Sequence, residues 1–280
     1  MNQSKWCIVG IADHQGVMNV GGRIGSADGP AAFRKIFYRL KGSVPVIKNL
    51  ADDRDVSGLS TDVEKNHRQA ADVISAAHGK YRRTVVVGGG HDHGFSHLLG
   101  IQESMKKKTR LGCINIDAHL DCRKPSPQIT SGSPFYLALE KKVIDPARLI
   151  EFGIQSHCNG PELWEYVEKK KIPVVPFSRL RSGKAVAAFS AALKKLRKHC
   201  DAVVVSLDLD AVLEASAPGV SAPQAEGFFP DEIMQMMEIA GADRKVVSLG
   251  IFELNPLHDI GERTARLAAT AAYHFIEAGY

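Results

Sequence analysis

The chain has 280 residues, enough to bury a sizeable core, and α/β folds of this length commonly form one unit. Hydrophobic residues make up 44% and charged residues 24%, the balance of a globular protein and not of a disordered one. A formal charge of +5 is modest, and the basic runs Lys106–Arg110, Lys169–Lys171 and Lys194–Lys198 fall at or near helix ends, where cations offset the helix dipole. No aromatics interleave with them for stacking on bases, and no apolar segment is long enough to span a bilayer. We therefore expect no nucleic-acid partner and no membrane partner. Met1–Gly10 reads as a strand and not as a signal peptide, and five cysteines without C-x-x-C spacing suggest reduced thiols, which points to the cytoplasm.

In chain order the hydrophobic pattern predicts a strand at Trp6–Ala12, then helices near Pro30–Leu40 and Asp62–Ala77. Asp28, ahead of Gly29 and Pro30, offers an N-cap for the first of these. A strand at Thr84–Val87 leads to a helix near Phe95–Met105, and a strand at Leu111–Ile116 to a helix near Pro134–Glu140. Strand Leu149–Ile154 precedes helix Pro161–Lys169, and strand Pro173–Pro176 precedes helix Ala185–Lys198. In that last helix Ala185, Phe189, Ala192, Leu193 and Leu196 share one face. Strand Ala202–Leu207, helix Pro230–Ala240, strand Val246–Phe252 and helix Arg263–Glu277 complete the pattern. Short apolar strands alternating with helices imply one domain over residues 1–280: an α/β fold, a three-layer α/β/α sandwich with a mostly parallel central sheet. Ligands in such sheets collect beyond the carboxyl ends of the strands.

Three of the strands end in metal-binding residue types. Thr84–Val87 runs into Gly88-Gly89-Gly90-His91-Asp92-His93, Leu111–Ile116 into Asp117-Ala118-His119-Leu120-Asp121, and Ala202–Leu207 into Asp208-Leu209-Asp210. In extended chain, residues two apart face the same side, so Asp117, His119 and Asp121 can converge, as can Asp208 and Asp210. Carboxylates packed together repel and some must protonate unless a cation intervenes. Carboxylate with imidazole suits Mn²⁺, Zn²⁺ or Fe²⁺. The triple glycine lacks the Lys-Ser/Thr of a phosphate loop and the G-x-G-x-x-G register.

With these motifs in place, the chain resembles the arginase, agmatinase and formimidoylglutamase family, the ureohydrolases, over nearly its whole length. The resemblance implies a three-layer sandwich with a dinuclear manganese centre. It implies that His91, Asp117, Asp121 and Asp208 hold one Mn²⁺, that Asp117, His119, Asp208 and Asp210 hold the other, and that Asp117 and Asp208 bridge. The expected reaction is attack of hydroxide on an amidine-type carbon, with Asp121 moving the proton to the departing nitrogen. Glu253, in Phe252-Glu253-Leu254-Asn255-Pro256, matches the family carboxylate that pairs with the substrate's cationic nitrogen. A homo-oligomer is also implied.

Within the family, Ser131-Gly132-Ser133-Pro134-Phe135, Pro218-Gly219-Val220-Ser221-Ala222-Pro223 and the triple glycine before His91 resemble the formimidoylglutamase branch. Arginases carry a histidine where none lies here between His119 and His157. The implied reaction converts N-formimidoyl-L-glutamate to L-glutamate and formamide, a step of histidine degradation. A guanidino-compound ureohydrolase releasing urea is the alternative, and a non-catalytic metal-binding scaffold is the alternative of another class. A dicarboxylate substrate calls for cationic and polar contacts, for which Arg123, Arg23 and Asn159 are the candidates. His157 reads as an exposed loop histidine. Asp92 and His93 depart from the family's usual run after the histidine.

Overall fold

The computed structural model describes residues 6–42, 46–47, 50–52, 55–56 and 59–280. Its strands are β1 (Trp6–Gly10), β2 (Leu50–Asp52), β3 (Arg83–Val87), β4 (Leu111–Ile116), β5 (Leu149–Ile154), β6 (Val174–Pro176), β7 (Ala202–Asp208) and β8 (Val246–Phe252). They form one sheet in the order β2-β1-β3-β8-β7-β4-β5-β6, with every pairing parallel. The expectation of a mostly parallel sheet is met in full.

Helices cover both faces: α1 (Gln15–Asn19), α2 (Gly29–Phe37), α3 (Val63–Lys80), α4 (His93–Ser104), α5 (Pro134–Glu140), α6 (Pro161–Lys170), α7 (Ala185–Leu196), α8 (Pro230–Ala242) and α9 (Arg263–Ala278). Alternation along the strands sorts side chains into two cores. Val85 and Val87 of β3 join Phe33, Phe189, Met236 and Phe275 in the core under α2, α7, α8 and α9. Val86, one residue between them, joins Ile74, Leu98, Phe135 and Val167 under α3, α4, α5 and α6. A strand buried on both faces has no polar side to present, which is why β3, β4 and β7 read as near-continuous apolar runs.

Several boundaries differ from the sequence reading. The first strand stops at Gly10, and Ile11 adds only an isolated bridge to Val56; Met1–Lys5 of the expected segment lie outside the described residues. The helix expected from Phe95 begins at His93. Asp28 stands at the N-cap position of α2 but makes no capping hydrogen bond, because it closes the 3₁₀ turn Ser26–Asp28 with helical backbone angles. Helix α1 and strand β2 were not foreseen. Each is too short to show a period, and β2 is partly exposed. Among the described residues no helix is long and apolar enough to cross a membrane.

Candidate metal centre

Strands β3, β8, β7 and β4 are neighbours at the middle of the sheet, so their carboxyl ends open onto one place. There β3 delivers Gly88–His91, β4 delivers Asp117, β7 ends on Asp208, and Glu253 follows β8. The triple glycine serves close approach. A Cβ on Gly89 would stand 1.4 Å from the Asp13 carbonyl oxygen, and one on Gly88 would stand 2.4 Å from the Phe252 ring. Bare backbone is the only chain that fits through this passage.

His91 Nδ1 lies 3.1 Å from Asp117 Oδ2, 2.9 Å from Asp121 Oδ2 and 3.0 Å from Asp208 Oδ2, yet makes a hydrogen bond with none of them. One ring nitrogen carries at most one hydrogen, so hydrogen bonding cannot account for three acceptors around it. A cation among the four atoms would. A second group adjoins the first: His119 Nδ1 is 3.0 Å from Asp210 Oδ2 and 3.6 Å from Asp117 Oδ1. Asp117 belongs to both groups, while Asp208 belongs to the first and accepts the Asp210 N–H on its Oδ1 at 2.8 Å.

The electrostatics agree. Burial, with repulsion from Asp210 and Asp117, drives Asp208 well above the ordinary carboxylate range, and burial with Asp117 raises Asp121. Burial likewise pushes Asp210 up to about 6. For Asp117 burial acts upward too, but the facing imidazoles of His119 and His91 outweigh it and hold the group low. His91 and His119 are raised well above an ordinary imidazole despite burial, by the carboxylates facing them. Buried carboxylates with imidazoles as their close cationic neighbours are strained as bare groups, and divalent cations relieve that strain. The donor set of oxygen and imidazole nitrogen fits Mn²⁺ and its neighbours.

Asp117 meets Asp121 in one group and His119 in the other, and extended backbone does not produce either meeting. β4 ends at Ile116, and Asp121 lies in the left-handed region with φ 44°. Both acidic strand ends instead make the same turn: Asp117 Oδ1 accepts the His119 N–H at 2.7 Å, just as Asp208 accepts that of Asp210. Asn159, fully engaged, locks the first turn. Its Oδ1 accepts the Leu120 N–H at 2.8 Å, and its Nδ2 donates to the carbonyls of Ala118 at 3.1 Å and Gln155 at 2.8 Å.

Supporting residues that the sequence reading missed hold the cage from behind. Ser206 Oγ meets His91 Nε2 at 2.9 Å, and the Phe252 ring stacks on the His91 ring with centroids 5.0 Å apart. Asn115 donates to Asp117 Oδ2 at 3.1 Å and to Glu151 Oε2 at 2.9 Å. Glu151 is fully buried, and burial keeps its carboxyl well above its ordinary range. The available signal was a polar residue inside an apolar strand: Asn115 in β4, Glu151 in β5 and Ser206 in β7. Such residues need a reason to be buried.

Glu253, at φ 65°, accepts the His91 N–H on Oε1 at 2.8 Å and the Ser221 hydroxyl on Oε2. Burial raises its pKa to about 7. Arg23 is half-buried, and its guanidinium donates to the carbonyls of Ser221, Pro218 and Val220 at 3.3, 3.4 and 2.6 Å. It therefore clamps the Pro218–Pro223 loop against Glu253, and Asn159 is a backbone brace; neither was expected in that role. Arg123 differs. It is exposed, with no side-chain hydrogen bond or ion pair among the described residues, and a Cβ on Gly132 would stand 3.4 Å from its Cζ and 3.6 Å from Asp121 Oδ1. The bare Gly132 thus leaves the guanidinium at the rim of the cage. His157 is exposed on its loop.

A fold of this kind with a paired His/Asp cage defines a class, and the comparisons agree: the arginase family model matches residues 4–277, and the chain belongs to the arginase family. Among its relatives is a formimidoylglutamase of Geobacillus kaustophilus, 31% identical over 95% of this chain and 83% of that one. Among solved structures, Trypanosoma cruzi formiminoglutamase with Mn²⁺ superposes with a TM-score of 0.88, at 28% identity, over 98% of this chain and 93% of that one. Proclavaminate amidino hydrolase of Streptomyces clavuligerus gives a TM-score of 0.85 over 99% and 92% of the two chains, at 23% identity, and so shares the fold alone.

Proposed function

We propose that this arginase-family protein is a two-ion hydrolase of linear amidines and that its substrate is N-formimidoyl-L-glutamate, released as L-glutamate and formamide. The observation that carries the reading is the cage itself, with a guanidinium at the rim that has no partner among the described residues. His91, Asp117, Asp121 and Asp208 would hold one ion. Asp117, His119, Asp208 and Asp210 would hold the other, Asp208 reaching across from the first group. Two divalent ions, Mn²⁺ by likeness to the relatives, supply Lewis acidity and a hydroxide at neutral pH when bound.

The rest of the work falls to the chain's own groups. Asp121 Oδ1 faces the rim near Arg123, which suits it to take a proton and return it to the departing nitrogen. Glu253, held by the His91 N–H and the Ser221 hydroxyl, presents a carboxylate to the cationic formimidoyl nitrogen. Arg123 provides the counter-charge for a substrate carboxylate, which supports an amino-acid-derived substrate over a simple diamine. Arg23 and Asn159 act indirectly, by holding the loops that present Glu253 and Asp121. The single-domain reading and a compact small-molecule site go together here.

The test is product analysis. Mn²⁺-loaded protein is given N-formimidoyl-L-glutamate beside a panel of guanidino acids, with formamide and urea measured separately. Formamide from the first substrate is expected; urea without formamide would assign the guanidino alternative. Two bound ions without turnover of any member would leave the scaffold reading.

A further inference from the structure

Directly after His91, the chain places two more ionisable groups in full burial, Asp92 and His93. Asp92 Oδ2 meets His67 Nε2 of α3 at 2.8 Å, and His93 Nε2 meets Asp13 Oδ2 at 3.0 Å. Asp13 comes from the link between β1 and α1, where its Oδ2 also accepts from Asn66 at 2.9 Å and its Oδ1 accepts the Gln15 N–H at 2.9 Å. The His67 and His93 rings pack edge to face with centroids 5.1 Å apart.

By residue type, His67, Asp92 and His93 look like a third metal site. The pairing argues otherwise. The Nε2 atom of each imidazole faces one carboxylate oxygen at hydrogen-bond length, His93 Nδ1 meets the Ser96 hydroxyl at 3.0 Å, and the cross distance from His93 Nε2 to Asp92 Oδ2 opens to 3.9 Å. Around His91 Nδ1, three oxygens crowd one nitrogen; here each Nε2 has a single carboxylate oxygen at hydrogen-bond length, and His67 Nδ1 and Asp92 Oδ1 are buried without a hydrogen-bond partner among the described residues. Asp92 also occupies the N-cap position of α4 without making a capping hydrogen bond. An aspartate there ordinarily caps the helix, so its turn toward His67 replaces one stabilising contact with another. The space is cut to fit: a Cβ on Gly16 would stand 2.2 Å from Asp92 Oδ1.

We propose that the Asp92–His67 and His93–Asp13 couples form a metal-free bracket that aims His91 at its ion. Asp13, His67, Asp92 and His93 are positioning residues, and the inference rests on the two-ion reading above. The turn bearing His91 is pinned on its inner side by Glu253 and Ser206, and on its outer side by the bracket, from α3 and from the β1–α1 link. Partners that orient a ligand in this way are worth roughly 10–100-fold in metal affinity.

Mn²⁺ binding, measured by equilibrium dialysis with metal analysis and by the magnetic coupling of the ion pair, tests it. Wild type should bind two ions with a coupled spectrum. His67→Phe should bind one of them normally and the other roughly 10–100-fold more weakly. His67→Gln, which retains a donor toward Asp92, should recover most of the loss. In a His91→Ala background His67→Phe should change nothing further. Equal weakening of both ions, an unchanged pair, or further loss in that background would overturn the bracket. So would a third ion in wild type that disappears in His67→Phe. Failure of wild type to bind two ions would instead remove the two-ion reading beneath it. If His67→Phe does not fold, Asp13→Asn, which keeps shape and acceptor, is judged by the same criteria.

Discussion

Replacing Phe252 by alanine asks how far His91 depends on the core beneath it. The ring is fully buried and stacks on the His91 ring at 5.0 Å. It also lies over two glycines: Cβ atoms on Gly88 and Gly250 would stand 2.4 and 2.5 Å from it. Glycines have no side chain to lean into the space, so the cavity left by truncation stays open. That places the loss toward the upper end of the range for buried phenylalanine, about 4–5 kcal/mol. With an unfolding entropy of about 2.1 cal/mol/K per residue over this length, the melting temperature falls by roughly 8 °C. Phe252→Leu, which keeps most of the volume, should cost less than about 1.5 kcal/mol. Urea unfolding of the metal-free protein measures the first quantity, and Mn²⁺ titration the second consequence, weaker binding of the ion at His91. A loss below about 2 kcal/mol with Mn²⁺ affinity unchanged would refute the reasoning, because the cavity would then have collapsed without moving the imidazole.

Arg123→Ala should raise KM for a carboxylate-bearing amidine by about 10–100-fold, the worth of one charge-assisted hydrogen bond, with kcat changed far less. Steady-state kinetics with and without the carboxylate on the substrate check this. Asn159→Ala strips partners from the Leu120 N–H and from two carbonyls at once, and should cost about 2–4 kcal/mol in urea unfolding together with weaker Mn²⁺ binding. His97 is fully buried, and burial lowers its pKa from 6.5 to about 3. The unfolded chain therefore takes up that proton first: the contribution is intact above pH 6.5, is lost as pH falls, and levels off near pH 3. Between pH 7 and 5 it amounts to about 2 kcal/mol, and the difference between wild type and His97→Gln in chelator-treated unfolding curves should show it.

The local chemistry of this protein was readable in its sequence. Apolar runs bounded by turn residues located seven of the eight strands among the described residues, because a strand buried on both faces must be apolar along its length. The abrupt change from apolar to His and Asp marked the ends that carry the cage. Neighbour relations were not readable. That β3 and β7 both flank β8, bringing His91 to Asp208 across more than a hundred residues, depends on sheet order and not on any local period. The division of labour among the polar residues was decided there as well. Arg23 and Arg123 are the same residue type, each beside a family-like motif, yet among the described residues one meets three carbonyls and the other meets none. Asn159 faces backbone on every side. A side chain's role is set by the partners that reach it, and the partners of these come from distant segments. Residue type alone determined what the candidate metal centre is made of; only the packing of the strands decided which groups face one another in the cage and which hold the others still.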